Sequence, residues 1–264
     1  MKFLCKRGGS SGAGSHGGGG ASASTPQQPT APTFSATDDG PFRQMTDAEE
    51  AAYFAKQTFS KQEQVAINLY TDPNAEPGSK YNFAQNMNQA YKKGQPLTSI
   101  QQSALDIMLG TMHNIGYNAE LTRYDHTGTV QRLMKHAGIH GDASNMTPSQ
   151  LQGLIGQTFN ERRLLSTSVN NFKNADDPST FTTRQFKFTY RVKASAQAMM
   201  PGVAHTPLKG SGKATGDNFG EMLLGPMNSY KVVDIKYTGA KARAKGAPKT
   251  ALTKDQIEIV VEVS

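Results

Sequence analysis

Three short elements of the sequence carry side chains that together could bind phosphate and stabilise a positive charge. Arg123 ends a candidate strand, the triplet Ser166-Thr167-Ser168 follows two leucines, and Glu221 opens a short apolar run. An arginine donates paired, charge-assisted hydrogen bonds to phosphate oxygens. A carboxylate stabilises positive charge that develops in a transition state, provided that a partner such as a serine hydroxyl orients it.

Each of these residues also has an ordinary structural interpretation. Ser and Thr are common at strand ends because their hydroxyls bond nearby backbone groups. A lone arginine at a strand end is usually a solvated or salt-bridged surface group, and a lone glutamate before an apolar strand is usually an edge charge. The order of the three elements and their roughly even spread along the chain favour the functional interpretation for the set.

The first half of the chain has the pattern of α-helices. Thr46 and Glu49 fit a capping box at the start of one helix, and Thr147-Pro148 is a typical start for another. Further helices are indicated where apolar residues recur three or four positions apart. The predicted core-facing residues are Val65, Ile67 and Leu69, then Phe83, Met87 and Tyr91, then Leu105, Met108 and Leu109, and finally Leu151 and Leu154.

The second half has the period of β-strands. Phe186, Phe188, Tyr190 and Val192 alternate with polar residues, which is the pattern of a half-buried strand. Residues 230–237 and 257–263 are also predicted to be extended. Helices first and strands later indicate an α+β domain rather than a regular alternation of strand and helix.

The composition is that of a basic chain with one cysteine. Among its 264 residues the charged side chains sum to +7, which favours polyanionic partners such as nucleic acid or a phosphorylated ligand. The single Cys5 excludes an internal disulfide and a cysteine-only zinc site. No apolar run is long enough for a transmembrane helix, and the start lacks the apolar core of a classical signal peptide.

Residues 1–42 are predicted to form a disordered tail. They are rich in Gly, Ser, Ala and Pro and have few large apolar groups, so they cannot bury enough surface to offset the entropy lost on ordering. Residues 43–264 are then predicted to form a single domain.

Taken together, the motifs resemble the ADP-ribosyltransferase exoenzyme domain, in the branch whose site consists of an arginine, a serine and a glutamate. The helical half adds a tyrosine followed by an asparagine-rich helix, in Ile67-Asn68-Leu69-Tyr70-Thr71 and Tyr81-Asn82-Phe83-Ala84-Gln85-Asn86-Met87-Asn88. The resemblance covers residues 45 to 238. It implies N-terminal helices followed by two packed, mostly antiparallel sheets, with a cleft for NAD between them.

The resemblance also implies a role for each motif. NAD is the expected substrate, and its ADP-ribose is transferred to an acceptor with release of nicotinamide and without a metal. Arg123 is expected to hold the diphosphate, Glu221 to be the catalytic carboxylate and Ser166 to orient it. The expected NAD-binding residues further include Tyr124, Thr167, Ser168 and Phe172; either Phe172 or Phe181 stacks on nicotinamide or packs in the core.

The position two residues before Glu221 departs from the family pattern. Most members have Glu or Gln there to engage the acceptor, whereas this chain has Phe219, whose ring can neither accept a proton nor bond a guanidinium. Asp217 and Asn218 lie just upstream and can substitute if the loop allows. The acceptor therefore stays open between a protein, a nucleic acid, a small molecule and water, the last of which would make the chain an NAD glycohydrolase.

A function of a different class also fits the composition. A non-catalytic, phage-associated structural protein would bind polyanions through its basic surface, with Lys241, Arg243, Lys245 and Lys249 as the candidate cluster. For the enzyme we expect a monomer without membrane association that is either cytoplasmic or delivered into a target cell.

Overall fold

The computed structural model of the chain describes residues 40–72, 82–161, 163–173, 175, 177–202, 220–244, 246–248 and 250–264. By its internal contacts the chain divides into units of residues 1–31 and 32–264, and every described residue belongs to the second. The predicted tail of residues 1–42 therefore lies, except for 40–42, outside the described residues, and its disorder stays a prediction.

Helices dominate the first part of the described chain. They are α1 Asp47–Lys56, α2 Lys61–Thr71, α3 Phe83–Lys93, α4 Ser99–Thr111, α5 Thr127–His136, α6 Pro148–Leu151 and α7 Ser179–Thr182. The predicted capping box at Thr46 and Glu49 is confirmed, and Ser60 and Thr98 begin α2 and α4 in the same way. None of the helices in the described ranges is both long and apolar enough to cross a membrane.

Helices α2, α3 and α4 pack on one another and on one part of the sheet. Their buried residues are Ala66, Ile67, Tyr70, Phe83, Met87, Ala104, Leu105 and Met108, which contact Leu164, Met199 and Leu223. The prediction that Val65 faces this core is wrong, because its side chain is 59% exposed. The buried face of α2 is centred one position later, on Ala66, Ile67 and Tyr70.

Nine strands in the described ranges form the second layer. They are β1 His113–Asn114, β2 Ala119–Asp125, β3 Thr158–Phe159, β4 Leu165–Ser168, β5 Phe186–Val192, β6 Gln197–Met199, β7 Glu221–Leu224, β8 Tyr230–Arg243 and β9 Leu252–Val263. Their order is β1-β6-β7-β4-β2-β5-β9-β8-β3, and each pairing is antiparallel except that of β5 with β9. The α+β class and the mostly antiparallel strands are as predicted.

The sheet consists of two halves that meet at β2 and β4. In the described part these two strands share a single paired position, Thr122 opposite Ser168, whereas β2 and β5 pair along their full length. The two expected sheets are thereby joined into one hydrogen-bonded array. The predicted apolar face of β5 is confirmed, because Phe186, Phe188, Tyr190 and Val192 are buried in the main core, although Thr189 on the other face is buried as well.

Candidate active site

The sheet order brings the three predicted site elements together. Arg123 lies on β2, the hydroxyl triplet on β4 and Glu221 on β7, and β4 lies between the other two strands. Ser168 is opposite Glu221, and Ser166 is opposite Leu223. Directly opposed residues share one face of a sheet, and residues two apart on a strand do so as well. Ser166, Ser168 and Glu221 therefore lie on the same face.

Glu221 is half-buried, and the Ser166 hydroxyl lies beside its carboxyl. Burial raises the pKa of its carboxyl, while the hydrogen bond from the Ser166 hydroxyl and the positive charge of Arg123 lower it; the net pKa lies above its ordinary value. Among the described residues, no lysine or arginine forms an ion pair with Glu221. The carboxylate thus has a neutral donor beside it and, in the described part of the chain, is not neutralised by a contacting cation.

Two hydrogen bonds fix the guanidinium of Arg123. Its Nη1 donates to the backbone carbonyl of Ser166 at 2.6 Å, and its Nε donates to Asp125 Oδ2 at 3.1 Å. Burial lowers the pKa of the guanidinium, but the charge of Asp125 and the hydrogen bond to it, together with Tyr190 and Glu161, more than offset this, and the net pKa is raised. The side chain keeps 20% of its surface exposed, so a charged, oriented guanidinium remains open to a ligand.

Asp125 is shared between two arginines. The terminal nitrogen Nη2 of Arg163 lies 3.8 Å from its Oδ2, and Nε of Arg163 lies 3.0 Å from Glu161. Burial raises the pKa of Asp125, yet the charges of Arg123 and Arg163 hold it well below its usual range. The sequence analysis missed Asp125 and Arg163, although the alternation that places Arg123 on a face also places Asp125 there.

The second and third hydroxyls of the triplet are used within the protein. Thr167 Oγ1 donates to the carbonyl of Met222 at 2.7 Å, which ties β4 to β7. Ser168 Oγ accepts from the backbone N–H groups of Asn170 at 3.3 Å and Phe172 at 3.0 Å. Both residues are buried. Of the triplet, Ser166 alone is partly exposed, and the other two shape the strand and the turn that follows it.

Tyr124 and Phe172 pack against each other instead of lining an open surface. Phe172 is 4% exposed, its ring lies 5.6 Å from that of Tyr124, and it stacks on Phe181 at 4.6 Å. The Tyr124 hydroxyl donates to Asn171 Oδ1 at 3.0 Å. Asn171 and Phe172 have φ of 56° and 62°, a left-handed conformation that costs energy in such residues. The core-packing alternative stated for Phe172 and Phe181 describes this arrangement.

A contact between two helical residues, Tyr70 and Asn88, connects the helices to the site. Asn88 donates from Nδ2 to the Tyr70 hydroxyl at 2.9 Å and accepts from the N–H of Leu164 at 3.1 Å. Burial, followed by the charge of Glu221, raises the pKa of Tyr70 to about 12. The tyrosine and the asparagine-rich helix were noticed in the sequence, but a one-dimensional pattern does not show that they contact each other.

A further contact from the helical layer reaches both sides of the site. Glu50 of α1 is buried, and its Oε2 accepts a hydrogen bond from Asn170 Nδ2 at 3.3 Å. Gly220, directly before Glu221, has φ of 63°, and a Cβ placed there would lie 2.9 Å from Glu50 Oε2. No sequence signal marked Glu50, since an acidic residue in the first turn of a helix is usually explained by the helix dipole.

The predicted acceptor loop and part of the candidate basic cluster lie outside the described residues. The acceptor-loop residues Asp217, Asn218 and Phe219 lie outside the described residues, so their role stays a prediction. Within the ranges that the structure describes, no three His, Cys, Asp or Glu side chains converge as a metal site. In the candidate basic cluster, Lys241 pairs with Asp255 at 2.6 Å, and Lys245 and Lys249 lie outside the described residues.

Comparison with known proteins gave matches to solved structures alone. The sequence matched no protein-family description and no curated protein. The fold is similar to an ADP-ribosyltransferase from Clostridium botulinum, with a TM-score of 0.52 and 20% identity over 85% of this chain and 99% of that one. It is also similar to the Clostridium limosum C3 exoenzyme, with a TM-score of 0.54 and 19% identity over 86% of this chain and 100% of that one.

A third similar structure was solved with NAD. It is C3stau2 from S. aureus, with a TM-score of 0.54 and 13% identity over 85% of this chain and 99% of that one. These similarities cover almost the whole length of the compared chains at low identity. They confirm the resemblance at the level of architecture: this chain has the fold of the C3-type bacterial ADP-ribosyltransferase toxins.

Proposed function

We propose that the chain transfers ADP-ribose from NAD to an acceptor, which is a protein, and releases nicotinamide. The observation that carries the proposal is the pairing of Ser166 with Glu221 next to the guanidinium of Arg123, at the junction of β2, β4 and β7. The fold supports the same reaction class, since similar structures are ADP-ribosyltransferases.

The reaction breaks one bond and forms another at the same carbon. The glycosidic bond between the ribose carbon C1′ and the nicotinamide nitrogen breaks, and its electron pair neutralises the pyridinium. Positive charge develops on the ribose, as it does in glycoside hydrolysis. A nucleophilic atom of the acceptor then bonds to C1′ and loses its proton.

Glu221 suits the stabilisation of that positive charge. Its carboxylate lies in a partly desolvated position, where a fixed charge acts more strongly than in water. In the described structure no cation contacts it, so its negative charge is available to the developing cation. Ser166 restricts the carboxylate to one orientation, which removes the need to reorganise during the reaction.

Arg123 suits the diphosphate. Its Nε and one terminal nitrogen are occupied by Asp125 and the Ser166 carbonyl, which fixes the plane of the guanidinium. The remaining N–H groups can donate to phosphate oxygens in a charge-assisted manner. Since one contact runs to the backbone of Ser166, binding of the phosphate and orientation of the carboxylate are linked through one residue.

A second candidate, NAD hydrolysis, is favoured by the residue two positions before Glu221. Phe219 provides neither an acid nor an amide to engage a protein side chain. Water would then attack C1′, and free ADP-ribose would be released. The chemistry at Glu221, Ser166 and Arg123 is the same in both candidates, which differ in the nucleophile alone.

The experiment that tests the proposal uses NAD labelled in its adenylate phosphate, incubated with the chain and a cell lysate. Nicotinamide release with label on a protein supports transfer. Nicotinamide release with all the label in free ADP-ribose supports hydrolysis. If nicotinamide is not released in either case, the proposed reaction is wrong.

A further inference from the structure

We propose that Glu50 of α1 is a positioning residue for the reaction, holding the backbone on both sides of the site through Asn170 and Gly220. The inference rests on the proposed function and extends it to a helix that carries none of the predicted site residues. We refer to Glu50 and Asn170, with the hydrogen bond between them, as the Glu50–Asn170 strut.

The buried state of Glu50 calls for a specific explanation. The residue is 3% exposed, and a buried carboxylate is costly unless polar groups compensate it. Its neighbour Glu49 already fills the capping role at the start of α1, where it accepts from Thr46 and pairs with Arg43 at 2.7 Å. The first-turn position therefore explains Glu49 and leaves Glu50 to be explained by what it contacts.

One end of the strut holds the turn after β4. Glu50 Oε2 accepts from Asn170 Nδ2 at 3.3 Å, and Asn170 Oδ1 accepts from the Ser168 hydroxyl at 3.1 Å. Ser168 in turn accepts from the N–H of Phe172, which lies in the left-handed region of the turn. A hydrogen-bonded chain thus runs from α1 to the end of the strand that carries Ser166.

The same carboxylate supports the residue before Glu221. A Cβ on Gly220 would lie 2.9 Å from Glu50 Oε2 and 2.9 Å from Asn170 Nδ2, so the strut packs directly on the Gly220 backbone. The carbonyl of Gly220 accepts from the N–H of Val169 at 3.0 Å, which ties the two segments to each other. Movement of the strut therefore changes the start of β7, where Glu221 begins.

This arrangement predicts an effect on the chemical step more than on NAD binding. The strut packs on the backbone directly before Glu221, whereas the described contacts of Arg123 run to Asp125 and the carbonyl of Ser166. Misplacement of a reacting group by about 1 Å costs on the order of 100-fold in rate. We expect Glu50→Ala to lower kcat about 10- to 100-fold and to change KM for NAD by less than about threefold.

Three variants of the full chain separate positioning from general stability. Glu50→Ala removes the acceptor, whereas Glu50→Gln keeps an oxygen that can accept from Asn170, so we expect it to restore kcat to within about fivefold of the wild type. Glu49→Gln is the matched control in the same helix, because it weakens the cap and the Arg43 ion pair without contacting Asn170 or Gly220. We expect Glu49→Gln to lower Tm and leave kcat unchanged.

Asn170→Ala keeps the inference testable if Glu50→Ala does not fold. If the strut acts as a unit, Asn170→Ala lowers kcat as well, and the double variant is no slower than the slower single variant. Unchanged kcat in folded Glu50→Ala or Asn170→Ala, or a loss in Glu49→Gln equal to that in Glu50→Ala, overturns the strut while leaving the proposed function intact. Wild-type chain that releases no nicotinamide overturns both.

Discussion

Ser166 and Glu221 lie on one face of two adjacent antiparallel strands, and hydrogen bonding from the Ser166 hydroxyl lowers the pKa of the Glu221 carboxyl. The two residues are not directly opposite, because Ser166 faces Leu223 and Ser168 faces Glu221. They meet along a diagonal on one face of the sheet, a distance that side chains can span. Ser168, although it is directly opposite Glu221, instead accepts from the backbone N–H groups of Asn170 and Phe172.

The first prediction concerns this hydrogen bond. Ser166→Ala removes a donor that lowers the pKa of Glu221, so the carboxyl will become neutral at a higher pH than in the wild type. We expect kcat for nicotinamide release to fall about tenfold at neutral pH and its acid limb to move to higher pH. A pH–rate profile of both proteins measures this, and an acid limb that stays in place or moves to lower pH contradicts the assignment.

The second prediction concerns stability and its dependence on pH. The pKa of Glu221 is raised in the folded state, chiefly by burial. Folded chain therefore retains the proton more strongly than unfolded chain, and stability falls as pH rises through the interval between the two pKa values. We expect Glu221→Gln to raise Tm by about 2 °C at pH 7 and to have no such effect below about pH 3, where the carboxyl is neutral in both states.

Glu258 provides the control of opposite sign for this measurement. Burial raises the pKa of its carboxyl, but hydrogen bonds from Lys187 and Thr189, together with the charges of Lys187 and Lys236, outweigh it, and the net pKa is lowered. Its stabilising contribution is present at neutral pH and is lost as pH falls through the folded pKa. Glu258→Gln should therefore lower Tm at pH 7. A lower Tm for Glu221→Gln at pH 7 would contradict the raised pKa.

The third prediction concerns the planar guanidinium group of Arg123. Arg123→Lys keeps the charge but loses the planar fork that contacts Asp125 and the Ser166 carbonyl. We expect the dissociation constant for NAD, measured by calorimetry, to rise at least about tenfold. The exposed Arg191 on the adjacent β5 is the matched control, and Arg191→Lys should not change it. Equal affinities for wild type and Arg123→Lys would remove Arg123 from the NAD site.

The fourth prediction compares two glycines with nearly the same backbone angle. Gly220 and Gly94 have φ of 63° and 65°, but a Cβ on Gly220 would lie 2.7 Å from a methyl of Val169, whereas one on Gly94 has no neighbour within 4 Å. Gly94→Ala should cost about 1 kcal/mol of unfolding free energy. Gly220→Ala should cost about 2 kcal/mol more, because strain from overpacking is added. Urea unfolding measures the free energy of unfolding of both variants. Equal losses would show that the backbone at Gly220 can shift to accommodate the added methyl group, which would contradict the prediction.

Local patterns predicted the elements of this fold well, because each depends on neighbours in sequence. The capping box at Thr46 and the apolar face of β5 from Phe186 to Val192 are contained within a few residues, and both are confirmed. Val65 was misplaced because the buried face of α2 depends on where α3 and α4 lie. That arrangement is a property of the tertiary packing and cannot be read from the helix alone.

The sequence predicted the motifs of the candidate site but not the contacts between their residues. Arg123, the triplet and Glu221 were found by type and order, and the sheet brings their strands together. The resemblance assigned different roles to Ser166 and Ser168, but the register that places Ser168 opposite Glu221 is set by distant strands and could not be read from the triplet. Glu50 was missed for the same reason, since its partners Asn170 and Gly220 are far from it in sequence.

The most direct test of the central claim is the rate at which nicotinamide is released from NAD by the wild type and by Glu221→Gln. Both proteins are first shown to be folded by their Tm values, and a single turnover is followed with enzyme in excess. Loss of a charge that stabilises the transition state predicts release at least about 100-fold slower in Glu221→Gln than in the wild type. Equal rates in the two proteins would contradict the assignment of Glu221 as the catalytic carboxylate.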